Sequence, residues 1–177
     1  MTPNNVKVIA FDLFGTVFDM SGVPREEFKA YGRHIKQPEW SPLVLPDSWA
    51  KIPAFPDSKE GIDRLIAGGY QVIPLSNCPM RLCFRMSDNA GIEWSTYYGL
   101  EHWKIYKPDP EAYGLFCAYF DFEPSEVLMV TANEKFGDIE AARALGMQAV
   151  LIRGTEYPTI NDLADALLDG GLTKEGE

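Results

Sequence analysis

Residues 6–11, Val-Lys-Val-Ile-Ala-Phe, form an almost unbroken apolar run that stops abruptly at Asp12. This pattern suits a strand buried on both faces, as in a parallel sheet covered by helices on either side. Gly15 follows three residues after Asp12. In open α/β sheets, ligands sit beyond the carboxyl ends of the strands, which is where Asp12 would project. A carboxylate there, with a glycine that lets backbone N–H groups come close, is a candidate nucleophile beside an anion site. The same residue would also suit a solvated turn cap. The later segments decide between these readings.

Those segments alternate helix and strand. Residues 24–36 read as a helix, with Pro24 in the first turn and Phe28, Tyr31 and Ile35 at spacings of three and four. Residues 37–50 carry three prolines and no clear period, so 20–52 reads as an insertion over one end of the sheet. Trp40 and Trp49 there suit either pocket walls or packing onto the core. Asp57 and Glu60 resemble a capping box, and the helix they open ends at Gly68-Gly69. Residues 70–75 form a second buried strand ending in Ser76-Asn77. Pro79 opens a helix running to about Asn89 or Gly91. A short strand is expected at 96–98, then a loop at 101–108. Asp109 and Pro110 cap and start a helix carrying Tyr113, Phe116 and Tyr119. Residues 127–130 and 148–152 are strands, 138–145 and 161–168 are helices, and the last few residues look frayed. Such alternation implies right-handed crossovers and an α/β fold, a doubly wound (Rossmann-like) parallel sheet. Its core would comprise 1–19 and 53–177, with 20–52 as a small cap insertion after the first strand.

At 177 residues, 46% of them hydrophobic, the chain can build one well-buried core. Its net charge of −10 argues against nucleic acid or an anionic membrane as partner. A small anionic substrate is compatible if a few cations converge locally. Cys78, Cys83 and Cys117 have no zinc-ligand spacing and point to free thiols in a reducing compartment. The opening Met-Thr-Pro-Asn-Asn lacks the basic and apolar regions of a signal peptide, and no apolar run approaches the ~20 residues of a membrane span. The expectation is a cytoplasmic protein.

The polar clusters fall after strand ends: Asp12 after the first, Ser76-Asn77 after the second, Thr131 and Asn133 after the third, with Lys107 in a loop before a helix. Parallel strands put all their carboxyl ends on one edge, so these groups can converge. A carboxylate paired with Lys107 would be held ionised. The Ser76 and Thr131 hydroxyls, the Asn77 amide and helix-start N–H groups could bind an anion or orient the nucleophile. His34 and His102 lie outside these clusters and read as surface or packing residues.

Phe11-Asp-Leu-Phe-Gly-Thr-Val-Phe-Asp19, Leu75-Ser-Asn77, Tyr106-Lys-Pro-Asp-Pro-Glu-Ala-Tyr113 and the segment through Asp138 resemble the four ordered motifs of the haloacid dehalogenase superfamily. The resemblance covers all but the insertion and the tail. It implies a hydrolase with Asp12 as the nucleophile forming an aspartyl ester, Ser76 as the second-motif hydroxyl, Lys107 steadying Asp12, and Asp138 as the fourth-motif acid. Thr16, Asn77, Tyr113, Thr131 and Asn133 would position substrate and water. The superfamily's phosphatases carry a second Asp two residues after the nucleophile as a proton donor. Phe14 stands there in this chain, whereas halide leaves without a proton. Thr131-x-Asn133 is similar to the Ser-x-Asn of the 2-haloacid dehalogenases, and Ala132 sits where phosphatases keep a magnesium-binding Asp. Tyr113, six residues after Lys107, is similar to the dehalogenase pattern too. These features imply a 2-haloacid dehalogenase-like enzyme needing no cofactor.

Two departures favour other readings. Two extra residues between Asn133 and Asp138 put Glu134 in a metal-ligand place. Mg2+ held by Asp12, the Phe14 carbonyl and Glu134 or Asp138 would then give a phosphatase. The insertion is also much shorter than the helical cap of 2-haloacid dehalogenases, which supplies an Arg for the substrate carboxylate; Arg25 and Arg33 are the available stand-ins. A non-catalytic binding protein on the same fold is a third reading, and the insertion leaves room for a homodimer surface.

Overall fold

The structure is a computed structural model that describes residues 5–172. The frayed tail expected from the sequence lies outside them. Four parallel strands, β1 (Val8–Phe11), β2 (Gln71–Pro74), β3 (Val127–Thr131) and β4 (Gln148–Leu151), form one sheet in the order β2-β1-β3-β4. The chain steps from β1 to β2 on one side and then crosses to β3 on the other. The direction of winding therefore reverses at β1, and the β1/β3 carboxyl end is the crevice where ligands of doubly wound sheets bind.

The unbroken apolar character of β1 is used on both faces. Ile9 and Phe11 join one hydrophobic cluster with α2 (Ser58–Ala67), α3 (Met80–Ala90) and α6 (Ile160–Leu172). Val8 and Ala10 join the other, with α4 (Pro110–Phe120) and α5 (Asp138–Leu145). All four side chains are fully buried. The first helix, α1 (Arg25–His34), starts after Pro24 and buries Tyr31 on the same side as Phe11. The rest of residues 20–52 has no long element, only helical turns at Met20–Gly22 and Asp47–Lys51. It is held by side chains instead. Trp49 is 1% exposed and meets Phe14 edge-on at 5.2 Å, while Trp40 stacks on Tyr106. Both tryptophans thus pack onto the body.

Two local expectations are corrected. Residues 96–98 form no strand. Ser95 N–H donates to the Val72 carbonyl at 2.9 Å, but the returning Val72 N–H is taken by the Ser95 hydroxyl rather than by a carbonyl, so the ladder ends after one peptide bond. Asp57 and Glu60 form no capping box either, because both side chains reach away from their own helix, to Arg153 and Asn161. Among the described residues no helix is long and apolar enough to cross a membrane.

Candidate active site

The turn after β1 sets the geometry of Asp12. Asp12 N–H extends the ladder by donating to the Val130 carbonyl at 2.9 Å. The chain then closes a tight loop in which the Leu13 carbonyl accepts from the amides of Thr16, Val17 and Phe18, and Gly15 N–H donates to the Phe18 carbonyl at 2.9 Å. Gly15 takes φ +79°, a conformation that strains any residue bearing a Cβ. The loop leaves Asp12 and Phe14 at the carboxyl edge of the sheet, lining one cavity of about 130 Å3.

Lys107 comes to the same place from the loop before α4, whose N-terminus Asp109 caps by accepting from Glu111 N–H. Its peptide group is pinned by Asn77: Lys107 N–H donates to Oδ1 at 2.7 Å, and Asn77 Nδ2 donates to the Lys107 carbonyl at 3.0 Å. The ammonium, 1% exposed, lies between two carboxylates, 3.1 Å from Asp12 Oδ1 and 3.0 Å from Asp138 Oδ1. Asp138 opens α5 and is fully buried, and it also accepts the hydroxyl of the buried Tyr113. Thr16 Oγ1 donates to the second Asp12 oxygen at 2.9 Å and accepts Ala132 N–H at 2.9 Å.

The electrostatics follow from one cation serving two buried acids. Burial raises the Asp12 carboxyl above its ordinary value, against the downward pull of Lys107, and Asp138 pushes it up further. Burial acts to lower the Lys107 pKa, but Asp12 and Asp138 outweigh it and the ammonium titrates above an ordinary lysine. Burial, with Asp138 adding to it, pushes the Tyr113 phenol far up, so that it stays a donor. Burial likewise raises the Cys78 thiol, which is therefore inert as a nucleophile.

The structure thus brings together Asp12, Thr16, Lys107, Tyr113 and Asp138, with Asn77 behind Lys107. Asn133 lines the cavity. The Ser76 hydroxyl accepts Cys78 N–H at 3.0 Å, and the buried Thr131 hydroxyl accepts Asn133 N–H at 3.2 Å, so both brace turns at the edge of the site. Glu134 is exposed, as are Arg25 and Arg33. The carboxylates named above for magnesium have other neighbours in this geometry. Asp12 and Asp138 both turn onto the same ammonium, and among the described residues no group of three or more His, Cys, Asp or Glu side chains converges to hold a metal.

Residues that the sequence did not single out for the site complete the cavity. Phe28, Tyr31, Gly32, Ile35 and Lys36 come from α1 and its end, and Phe136 from the β3–α5 loop. The Phe136 ring lies with its centroid 5.6 Å from Lys107 Nζ. The helical stripe of Phe28, Tyr31 and Ile35 was the one available signal, since it gives α1 an apolar face with nothing in sequence to say what it covers.

Set against known proteins, the chain is 32% identical over 117 residues to (S)-2-haloacid dehalogenase 1 of Pseudomonas sp. (strain CBS-3), and 28% identical over 116 residues to (S)-2-haloacid dehalogenase 4A of Burkholderia cepacia. These matches take in 64% of this chain and 50% and 49% of theirs, so it spans about half the length of the curated relatives it matches. The solved structure of a defluorinating L-2-haloacid dehalogenase superimposes with a TM-score of 0.76 at 26% identity, covering 94% of this chain and 96% of that one. These curated and structural neighbours are 2-haloacid dehalogenases, and the chain shares the fold of the solved one. No protein-family model matches this chain. Phe14, the position that differs from the phosphatase motif described above, has an aromatic neighbourhood. The ring is packed edge-on between Tyr31 and Trp49 at 5.5 and 5.2 Å, where a proton-donating carboxyl would otherwise stand.

Proposed function

We propose that the protein is a hydrolase that removes halide from a small 2-haloacid through an ester on Asp12, with no metal. One Asp12 oxygen attacks the carbon bearing the halogen. The carbon–halogen bond breaks, and the halide leaves with the bonding electrons and needs no proton. Water then adds to the ester carbonyl, and its collapse returns the Asp12 carboxylate, the 2-hydroxy acid and one proton. The Lys107 ammonium lies 3.1 Å from Asp12 Oδ1, so it favours the ionised nucleophile and faces the charge that collects as water adds. Asp138, itself held by the Tyr113 hydroxyl, holds that ammonium. Residues 20–52 act as a small cap, covering the cavity with the apolar face of α1. Exposed on the same wall, Lys36 is the cation placed to meet the substrate carboxylate.

The observation that carries this reading is Phe14 beside the Asp12–Lys107–Asp138 cluster. Loss of a general acid costs phosphoester hydrolysis ~10²–10⁴-fold but leaves halide departure untouched. The test is halide release from short 2-haloacids and phosphate release from p-nitrophenyl phosphate, each with and without magnesium. Halide release that chelation does not diminish is the expected result. Magnesium-dependent phosphate release, or no turnover of either class, would contradict the reading.

A further inference from the structure

Arg153 follows β4 and belongs to none of the motifs above. Its φ of +61° is a left-handed conformation that costs a non-glycine residue about 1 kcal/mol or more, so its surroundings must hold it there. Its N–H donates to the Tyr157 carbonyl at 2.7 Å. The guanidinium then acts as a fork. Nη1 and Nη2 donate to the two Asp57 oxygens at 3.0 and 3.4 Å, and the guanidinium carbon lies 3.7 Å from the centre of the Phe55 ring. Nε donates to the backbone carbonyl of Thr16 at 2.8 Å. Asp57 in turn accepts Ile160 N–H at 2.7 Å, so the clamp is itself anchored at the start of α6. Both members of the ion pair are largely buried, at 15% and 14% side-chain exposure.

The Thr16 end of this fork matters for the chemistry. Thr16 is fully buried, and its hydroxyl proton goes to Asp12 while its oxygen accepts Ala132 N–H. With its carbonyl fixed as well, the residue has no other orientation to take. We propose that Arg153 is a positioning residue for the nucleophile. By holding the Thr16 peptide it fixes the hydroxyl that holds the second Asp12 oxygen, and so fixes the plane of the carboxylate toward the cavity. The inference rests on Asp12 being the nucleophile, and it extends the site to the far side of the β1 turn. Lysine cannot replace the fork: one ammonium can keep the Asp57 pair or reach Thr16, but it lacks the planar donors that do both.

The test compares Arg153→Lys and Arg153→Met with the wild type in steady-state halide release and in amide hydrogen exchange at Ala132. Both variants are expected to lose kcat by about 10- to 100-fold with KM within about twofold, because a misdirected nucleophile slows chemistry without weakening binding. Ala132 exchange should quicken by about tenfold or more, while the amides of α4 keep their protection. Arg153→Lys should stay closer to wild type in melting temperature, through Asp57, yet not recover kcat. If Arg153→Met fails to fold, Arg153→Lys carries the comparison alone. Wild-type kcat in a folded variant, or unchanged exchange at Ala132, would overturn the proposal. A wild type that releases no halide would defeat the functional reading instead. The Ala132 exchange then decides the positioning role by itself, faster exchange supporting it and unchanged exchange ending it.

Discussion

At the scale of single residues, the site is one ammonium shared by the buried Asp138 and the largely buried Asp12, whose carboxylate lines the cavity. Removing the cation is the sharpest perturbation. Lys107→Met leaves Asp12 and Asp138 without their common partner and should destabilise the fold by about 3–5 kcal/mol, read as a lowered urea midpoint. That deficit should shrink as the pH falls, because protonation of the acids removes the repulsion. The raised Lys107 pKa means that its own contribution is complete below the ordinary lysine value of 10.5 and is lost only as pH rises through the higher folded value. Asp12 sets the opposite limit. Its pKa is raised and only the carboxylate attacks, so kcat/KM should fall, as pH is lowered, through a midpoint above the 3.8 of an ordinary aspartate. An acid limb at or below 3.8 would show that burial does not govern this group.

At the scale of elements, α2 meets α6 with Gly61 set against Ile160. A Cβ added at Gly61 in α2 would stand 2.5 Å from Ile160 Cγ2 at the start of α6. Alanine is favoured over glycine in a helix by about 0.8–1.0 kcal/mol, but overpacking here costs about 1–3 kcal/mol. Gly61→Ala should therefore lower the melting temperature, and a rise would mean that α6 moves aside freely. The elements themselves were legible where local signals agreed. The run before Asp12, Pro24 ahead of α1 and Asp109-Pro110 ahead of α4 each pair a chain direction with a specific backbone demand. Residues 96–98 failed because strand character needs a partner ladder, and the Ser95 hydroxyl takes the bond that would continue it. Asp57 failed as a cap for a related reason: Arg153, distant in sequence, offers it a stronger partner than its own helix does.

At the scale of the whole molecule, what the sequence concealed is what only packing decides. Asp12 and Lys107 were readable at a strand end and ahead of a helix start, and Asp138 through the resemblance of its segment to the fourth motif; the sheet order gathers all three. Lys36, Phe136 and Arg153 were not readable. Their places depend on how the aperiodic segment settles onto Phe14 through Trp49, how the longer β3–α5 loop folds back, and how β4 exits. The net charge of −10 also acts at this scale. It repels an anionic substrate over distances that salt shortens, so kcat/KM for a 2-haloacid should rise as ionic strength increases from low values. A fall would mean that the few cations at the cavity dominate the field the substrate meets. The central claim, that Asp12 is esterified during turnover, is tested most directly by a single turnover in heavy-oxygen water with enzyme in excess. The peptide bearing Asp12 should gain the mass of one heavy oxygen while the released hydroxy acid stays unlabelled. Label found only in the product, with Asp12 unchanged, would contradict the account.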